Sequence, residues 1–311
     1  MNMMKLMRII NKKYIDFCVA KGIIPRLGYP YKALIEPANF CNFKCPLCPT
    51  GSGKLTFKKE MMSFELFKQI INPLKYYLLE VYLYGFGEPL LHPDIFKMAR
   101  YLKKNKIQAI ISTNASNVES YDDAKKIIES GFTKIIVAMD GFSQETYDQY
   151  RINGSFEQTK KALIWLKLAN KDLNKKAKLI LQFIVMKHNE HEIEIIKEFA
   201  ENENIKLRLK PVGVSKEYQE QYLPINSDIN RYSQNKKRPK SCPFMWQYVT
   251  INSDGTMDTC CKDPYREMLI GNIKTDPIIK LWKSQLFNNY RNRYLKGKDL
   301  PKKCLDCVFS F

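Results

Sequence analysis

The sequence predicts an α/β protein, a parallel sheet built from repeated βα units and followed by a small, cysteine-rich α+β module. Three observations carry this. Between residues 31 and 210, short runs rich in β-branched and aromatic residues alternate with helical runs, a pattern that needs crossover helices and so builds parallel strands. The alternation stops at Pro211. Beyond residue 240 the chain becomes turn-rich and holds five of its nine cysteines.

Taken in order, residues 1–30 form an N-terminal helical extension, in which Leu6, Ile9, Ile10, Tyr14 and Phe17 recur at helical spacing. They predict an amphipathic helix that packs this face on the body, a membrane surface being the other use for such a face. Lys12, Lys13 and Asp16 break the apolar core that a signal peptide would need. Residues 31–210 hold six expected strands (32–36, 80–84, 107–112, 134–139, 178–185 and 206–210) with helices between them (63–77, 94–104, 119–130, 156–170 and 189–202). Ligands in such sheets bind at the carboxyl ends of the strands. Residues 211–240 are rich in Asn, Gln and Lys with few apolar anchors and read as a linker or mobile loop, and residues 241–311 form the second module. In it, VTINSDGTMDTCC reads as a hairpin turning at Asp254 and Gly255.

With 311 residues, 45% of them hydrophobic, the chain is long enough for one large core and a smaller unit, which excludes a disordered or fibrous class. A formal charge of +19, spread along the chain, would attract acidic partners: nucleic acid, an anionic membrane or an acidic electron carrier. No nucleic-acid-binding motif accompanies it. No run of about 18 apolar residues suggests a transmembrane helix, and a cytoplasmic location is expected. In that compartment thiols stay reduced, so nine cysteines point to metal rather than to disulfides.

The first strand runs into EPANFCNFKCPLCPTG, which places Cys41, Cys45 and Cys48 at C-x3-C-x2-C spacing on a loop at the catalytic end of the sheet. A [4Fe–4S] cube has four irons and takes cysteine thiolates as ligands. Three thiolates leave one iron open to a small molecule. A zinc site is the alternative, and it would want a fourth ligand such as His92.

At these residues the chain resembles the radical S-adenosylmethionine superfamily. The second strand ends in YGFGEPLLHP, similar to the family's GGEP motif, here Gly85, Phe86, Gly87, Glu88 and Pro89, with Phe86 in place of the usual second glycine. The resemblance implies that this loop meets the amino group of the cofactor's methionine part. It puts Ser112, Thr113 and Asn114, in ISTNAS, at the ribose and carboxylate position. Asp140 and Arg151, in VAMDGFSQETYDQYRING, fall near cofactor or substrate, and Asn189, in LQFIVMKHNEHEI, falls at the adenine pocket. Read alone, Asn114 and Asp140 can be caps and Arg151 a surface ion pair. The implied fold is a partial (β/α)6 TIM-like barrel. The implied chemistry is reductive cleavage of S-adenosylmethionine to methionine and a 5′-deoxyadenosyl radical, which must be kept from water.

The remaining cysteines read C-x17-C-C-x42-C-x2-C and resemble the C-terminal SPASM and twitch iron–sulfur modules of radical enzymes. Too few thiolates remain for two further four-thiolate clusters. One auxiliary [4Fe–4S] cluster is the natural count, held by Cys242, Cys260, Cys304 and Cys307, with Cys261 a possible substitute and zinc an alternative metal. Cys18 reads as a buried apolar filler.

Two clusters and S-adenosyl-L-methionine are thus the expected cofactors, and an acidic donor such as flavodoxin or ferredoxin the expected electron partner. An auxiliary cluster suits net oxidation, for example of a hydroxyl on a sugar or cyclitol, in a layout similar to 2-deoxy-scyllo-inosamine dehydrogenase. Tyr84, His92 and Arg151 are the candidates for a base near the substrate. Modification of a peptide or protein side chain is the alternative within enzymes. A non-catalytic iron–sulfur electron-transfer or scaffold protein is the alternative outside them.

Overall fold

The computed structural model describes residues 3–233, 238–305 and 307; the remaining parts of the polar stretch and of the two termini lie outside it. Six parallel strands, β1 (Lys32–Ile35), β2 (Glu80–Leu83), β3 (Gln108–Thr113), β4 (Phe132–Ala138), β5 (Lys178–Val185) and β6 (Lys206–Pro211), follow one another in sequence order across the sheet. Helices α2 (Phe64–Leu74), α3 (Ile95–Lys104), α4 (Tyr121–Ser130), α6 (Phe156–Asp172) and α7 (Ile193–Asn202) connect them, with the short α5 (Gln144–Asp148) after β4. The sheet does not close: the parallel strands are those the alternation predicts, and the open arrangement is the partial barrel that the family resemblance implies.

Side chains of successive strand residues point to opposite faces, and the two faces differ in chemistry. Ala33, Ile35, Val81, Leu83, Ile111, Val137 and Phe183 are wholly buried in the core beneath the helices. The concave face carries Ile110, Ile136 and Ile180 with Tyr82 and Tyr84 packed on them, a separate apolar floor inside the barrel. Four helix starts in the barrel are capped by serine. Ser63, Ser120, Ser143 and Ser155 each accept a backbone N–H of the first turn, worth about 1 kcal/mol apiece.

The second module is not a separate body. Strand β7 (Tyr248–Ile251) pairs in parallel with β1 over Lys32 to Ile35, and antiparallel β8 (Thr256–Asp258) and β9 (Leu269–Asn272) extend the same sheet to nine strands. The hairpin turn is the predicted one. Gly255 takes φ +88°, a conformation that glycine adopts without penalty. Trp246 on α9 (Pro243–Gln247), after the four-residue α8 (Gln219–Tyr222), donates its ring N–H to the Ile23 carbonyl at 2.7 Å. Trp282 at the end of α10 (Ile278–Trp282) donates to the Gly28 carbonyl at 3.0 Å. Fully buried Arg291 of α11 (Gln285–Lys296) lies over the Phe287 ring at 3.8 Å. Both tryptophans therefore clasp the segment that leads into β1.

Two expectations change here. Helix α1 (Met3–Lys21) docks through Arg8, Asn11, Ile15 and Cys18, while Leu6, Ile9, Ile10 and Phe17 of the predicted packing face stay exposed. The reason is hydrogen bonding. The guanidinium of Arg8 donates to the carbonyls of Lys75, Asn105 and Lys106 at 2.6–2.9 Å, groups that the ends of α2 and α3 leave without helical partners. Asn11 exchanges two bonds with the Tyr29 backbone. The polar stretch after β6 is not a free linker where it is described. Several of its anchors are used: Val212 and Tyr222 are buried, Arg231 donates to the Pro211 carbonyl, and Lys187 N–H bonds the Tyr222 carbonyl.

Candidate iron–sulfur and cofactor site

The cysteine loop leaves β1 and returns to α2 as a strap whose feet meet. Ala38 bridges to Met61, Met62 N–H bonds the Pro37 carbonyl, and the Asn39 side chain clamps Lys58 and Glu60. Backbone bonds tie the strap to its neighbours. Glu88 N–H donates to the Phe40 carbonyl at 2.9 Å, and Lys44 N–H donates to the Ile152 carbonyl at 3.0 Å. Loops after β1, β2 and β4 thus act as one platform at the carboxyl end of the sheet.

Each of the three sulfurs meets a different loop. The Asn114 amide, just past β3, lies 3.8 Å from Cys41 Sγ. Arg151, after α5, lies 3.9 Å from Cys45 Sγ. The Phe86 carbonyl, after β2, lies 4.0 Å from Cys48 Sγ. Burial pushes the Cys41 and Cys45 thiols up to about 11, with Arg151 opposing the rise at Cys45. Coordination by these thiols would therefore release protons. The donor set fits an iron–sulfur cube: three soft sulfurs on a cradle of backbone and amide groups, with no carboxylate among them.

The surrounding polar residues are buried and bonded. Arg151 donates from Nε to Asp140 Oδ2 at 2.7 Å, and the other Asp140 oxygen accepts the Ile184 N–H at 2.6 Å. That buried pairing with Asp140 and Cys45 raises Arg151 well above its ordinary value against the opposing effect of desolvation. Glu88 accepts from the Thr113 hydroxyl at 2.6 Å, the Asn114 N–H at 2.9 Å and the Leu90 N–H at 3.0 Å. Burial pushes its carboxyl up while those three bonds pull it down. Gly87 has no room for a side chain: a Cβ there would sit 2.1 Å from the Ala38 carbonyl oxygen. Gly85 is pressed against Glu36 in the same way.

The predicted residues converge to different degrees. Gly85, Phe86, Gly87, Glu88, Thr113, Asn114, Asp140 and Arg151 surround the strap, and Ser112 faces the lumen one residue below. Fully buried Asn189 spends its amide on Met186, Ile184 and Asp140, fastening the loops after β4 and β5. His92 has both ring nitrogens engaged, with the Met62 carbonyl at 2.8 Å and the Asp94 N–H at 3.0 Å. Neither nitrogen is free for a metal or a substrate proton while those bonds hold. Tyr84 stands on the concave floor, its ring edge-on to Tyr82.

Sequence reading missed Glu36. It is buried, accepts the Phe86 N–H at 2.8 Å, and reaches Ser253 of the hairpin at 3.4 Å, so it couples the loop after β2 to the second module. An acidic residue at a strand end next to the cysteine run was the available signal. Asn42 was missed too. It takes a bond from the Asn114 amide and donates to Ser116.

In the second module Cys242 starts α9, Cys260 and Cys261 follow β8, and Cys304 lies on α12 (Lys302–Leu305) with Cys307 beyond it. These elements come from three distant parts of the chain, yet their thiols feel one another. Burial, with Cys260 and Cys304 adding to it, pushes Cys242 up. Burial with Cys260 and Cys307 pushes Cys304 up to about 12. Cys261 hydrogen-bonds Cys260, which lowers Cys260 and raises Cys261. Burial pushes the Tyr84 hydroxyl up against the opposing charge of Arg208, and Cys261 adds to the rise. Cys260 is thus common to all of these thiols. Cys18 is buried on α1.

A sequence profile of the Radical SAM superfamily matches residues 35–200, just over half of the chain, and a profile of the SPASM iron–sulfur cluster-binding domain matches residues 242–308. Fe-coproporphyrin III synthase of Methanosarcina barkeri is 30% identical over 166 residues, 53% of this chain and 39% of the relative. The chain spans about two fifths of the length of the first curated relatives it matches. AdoMet-dependent heme synthase of the same organism is 24% identical over 86% of this chain and 88% of the relative. Among solved structures, Streptococcus suis SuiB bound to S-adenosylmethionine superimposes with a TM-score of 0.66 at 16% identity, over 96% of this chain and 73% of that one. BtrN in complex with AdoMet and 2-DOIA gives a TM-score of 0.53 at 17% identity, over 86% and 88%. These likenesses to solved structures establish the fold.

Proposed function

Because the chain belongs to the radical SAM superfamily, we propose that Cys41, Cys45 and Cys48 hold a [4Fe–4S] cluster whose open iron takes S-adenosyl-L-methionine, and that Cys242, Cys260, Cys304 and Cys307 hold an auxiliary cluster, in an enzyme that oxidises a small-molecule substrate by two electrons. The observation that carries it is the arrangement of the three strap sulfurs, each contacted from a different loop of one platform. When bound, the clusters and the sulfonium together supply an electron for cleavage, a 5′-deoxyadenosyl radical to abstract hydrogen, and an acceptor for the electron left on substrate.

The protein's own part is positioning and exclusion. Glu88 and the Asp140 with Arg151 pair lock the loops. Gly85 and Gly87 let backbone carbonyls approach the cofactor's amino group. Ser112, Asn114 and the Asn189 loop line the sides, and the isoleucine floor keeps water from the radical. A hydroxyl of a sugar or cyclitol is the substrate group that suits loss of two electrons and two protons. Of the three groups considered for proton transfer, Tyr84 is the one on the lumen floor; His92 and Arg151 are committed to Met62, Asp94 and Asp140. An acidic carrier such as flavodoxin or ferredoxin would suit the +19 surface as electron donor.

A second substrate reading, a carboxylate-bearing tetrapyrrole, is favoured by the names of the curated relatives and by two cations, Arg208 and Lys210, on the lumen side of β6 opposite Gln182 and Ile184.

Anaerobic reconstitution, iron counting and assay of 5′-deoxyadenosine under a strong reductant test the proposal. About eight irons per chain and nucleoside formation are expected. Iron without nucleoside product would replace the enzyme with an electron-transfer or scaffold protein.

A further inference from the structure

Helix α1 presents the body with polar groups and turns its apolar side outward. Met3, Leu6, Ile10 and Phe17 stand 73%, 40%, 58% and 52% exposed, and at 100° per residue they fall on one stripe. The stripe continues into the next loop through Leu27, 79% exposed. Exposed Lys5, Lys12, Lys13 and Lys21 accompany it on the same helix, with Arg26 beyond. The one acidic side chain of this helix, Asp16, is occupied by Lys12 and the Tyr31 hydroxyl.

Arg8 pins this helix to the turns that enter β2 and β3, at the amino ends of the strands. The stripe therefore lies away from the cysteine strap, and whatever covers it leaves the catalytic mouth open. Nineteen helical residues span about 28 Å. No helix among the described residues is long and apolar enough to cross a membrane. An exposed apolar ridge with lysines beside it, on a helix whose one carboxylate is already paired, is the arrangement of a helix lying in a lipid interface. There the apolar side chains enter the acyl boundary and lysine ammonium groups reach anionic headgroups.

We infer that α1 is an anionic-membrane docking surface, which seats the enzyme on a negatively charged bilayer with its cofactor mouth turned away. The juxtaposition that carries this is the outward stripe of Met3, Leu6, Ile10 and Phe17 beside Lys5, Lys13 and Lys21, on a helix fixed to the body by Arg8 and Asn11.

The test is co-sedimentation of the reconstituted full chain with phosphatidylcholine vesicles, with and without about one third phosphatidylglycerol. Binding to the anionic vesicles alone is expected, falling as salt is raised. A Leu6→Ser, Ile10→Ser, Phe17→Ser variant should bind about tenfold or more weakly, and a Lys5→Gln, Lys13→Gln variant should lose part of the affinity. All five side chains are exposed, so melting temperature and 5′-deoxyadenosine formation should match the parent protein. No binding to anionic vesicles overturns the inference. So does binding that the serine variant retains in full. A concentration-dependent dimer that the serine variant abolishes would assign the stripe to a second copy of the chain and also overturn it.

Discussion

The two cysteine groups of this protein are built in opposite ways. Cys41, Cys45 and Cys48 lie within eight residues on one strap, and the rest of the barrel comes to them: an amide from beyond β3, a guanidinium from beyond β4, a carbonyl from beyond β2. Cys242, Cys260, Cys304 and Cys307 span 66 residues and are gathered by a strand that joins the barrel sheet, a hairpin and a terminal turn. The first group is local chemistry presented by a scaffold. The second is a scaffold partly defined by where its cysteines meet. Loss of a ligand should therefore stop reactivity in the first and loosen structure in the second.

The sharpest way to break this contrast is Cys45→Ala. It should lower 5′-deoxyadenosine formation by about a thousandfold or more while the fold, followed by circular dichroism, persists. Residual cleavage within tenfold of the parent would show that the strap is not where the sulfonium binds. Next comes Arg151→Met, which leaves Asp140 buried without its ion pair. A loss of about 3–5 kcal/mol of stability is expected in denaturant unfolding, together with slower cleavage, since the Cys45 environment changes. An unfolding midpoint equal to the parent's would remove the pair from the account.

For the second group, Cys260→Ala should reduce iron from about eight to about four per chain. Cleavage of S-adenosylmethionine without substrate should stay within a fewfold of the parent, while substrate oxidation fails. Equal loss of both reactions would merge the two regions into one functional unit. The smallest effect is expected of Cys261→Ser. Iron content should be unchanged if Cys260 is the ligand, and a fall to about four irons would exchange the roles of the two neighbours.

The strap, the glycine-rich loop and the strand order were legible because each depends on residues close in sequence. C-x3-C-x2-C positions its sulfurs whatever lies around it, and period-two and helical patterns report which face each segment buries. Glu36 was less legible, since its partners Phe86 and Ser253 are 50 and 217 residues away. Its place at a strand end beside the cysteine run was the one local signal, and that does not by itself reveal these partners. The docking face of α1 was read the wrong way round for a related reason. Apolar periodicity finds the stripe, but a buried Arg8 is stabilised only by carbonyls that α2 and α3 bring to it.

By itself the sequence determined the alternating strands and helices, the three-sulfur strap and the hairpin turn at Gly255. Only the tertiary structure decided that β7 would join β1, that Arg151 would reach Cys45, and that α1 would dock by its polar side. Periodicity and motif spacing are properties of neighbouring residues, whereas these three outcomes depend on which distant donors and acceptors end up side by side, and buried polar groups must find such partners.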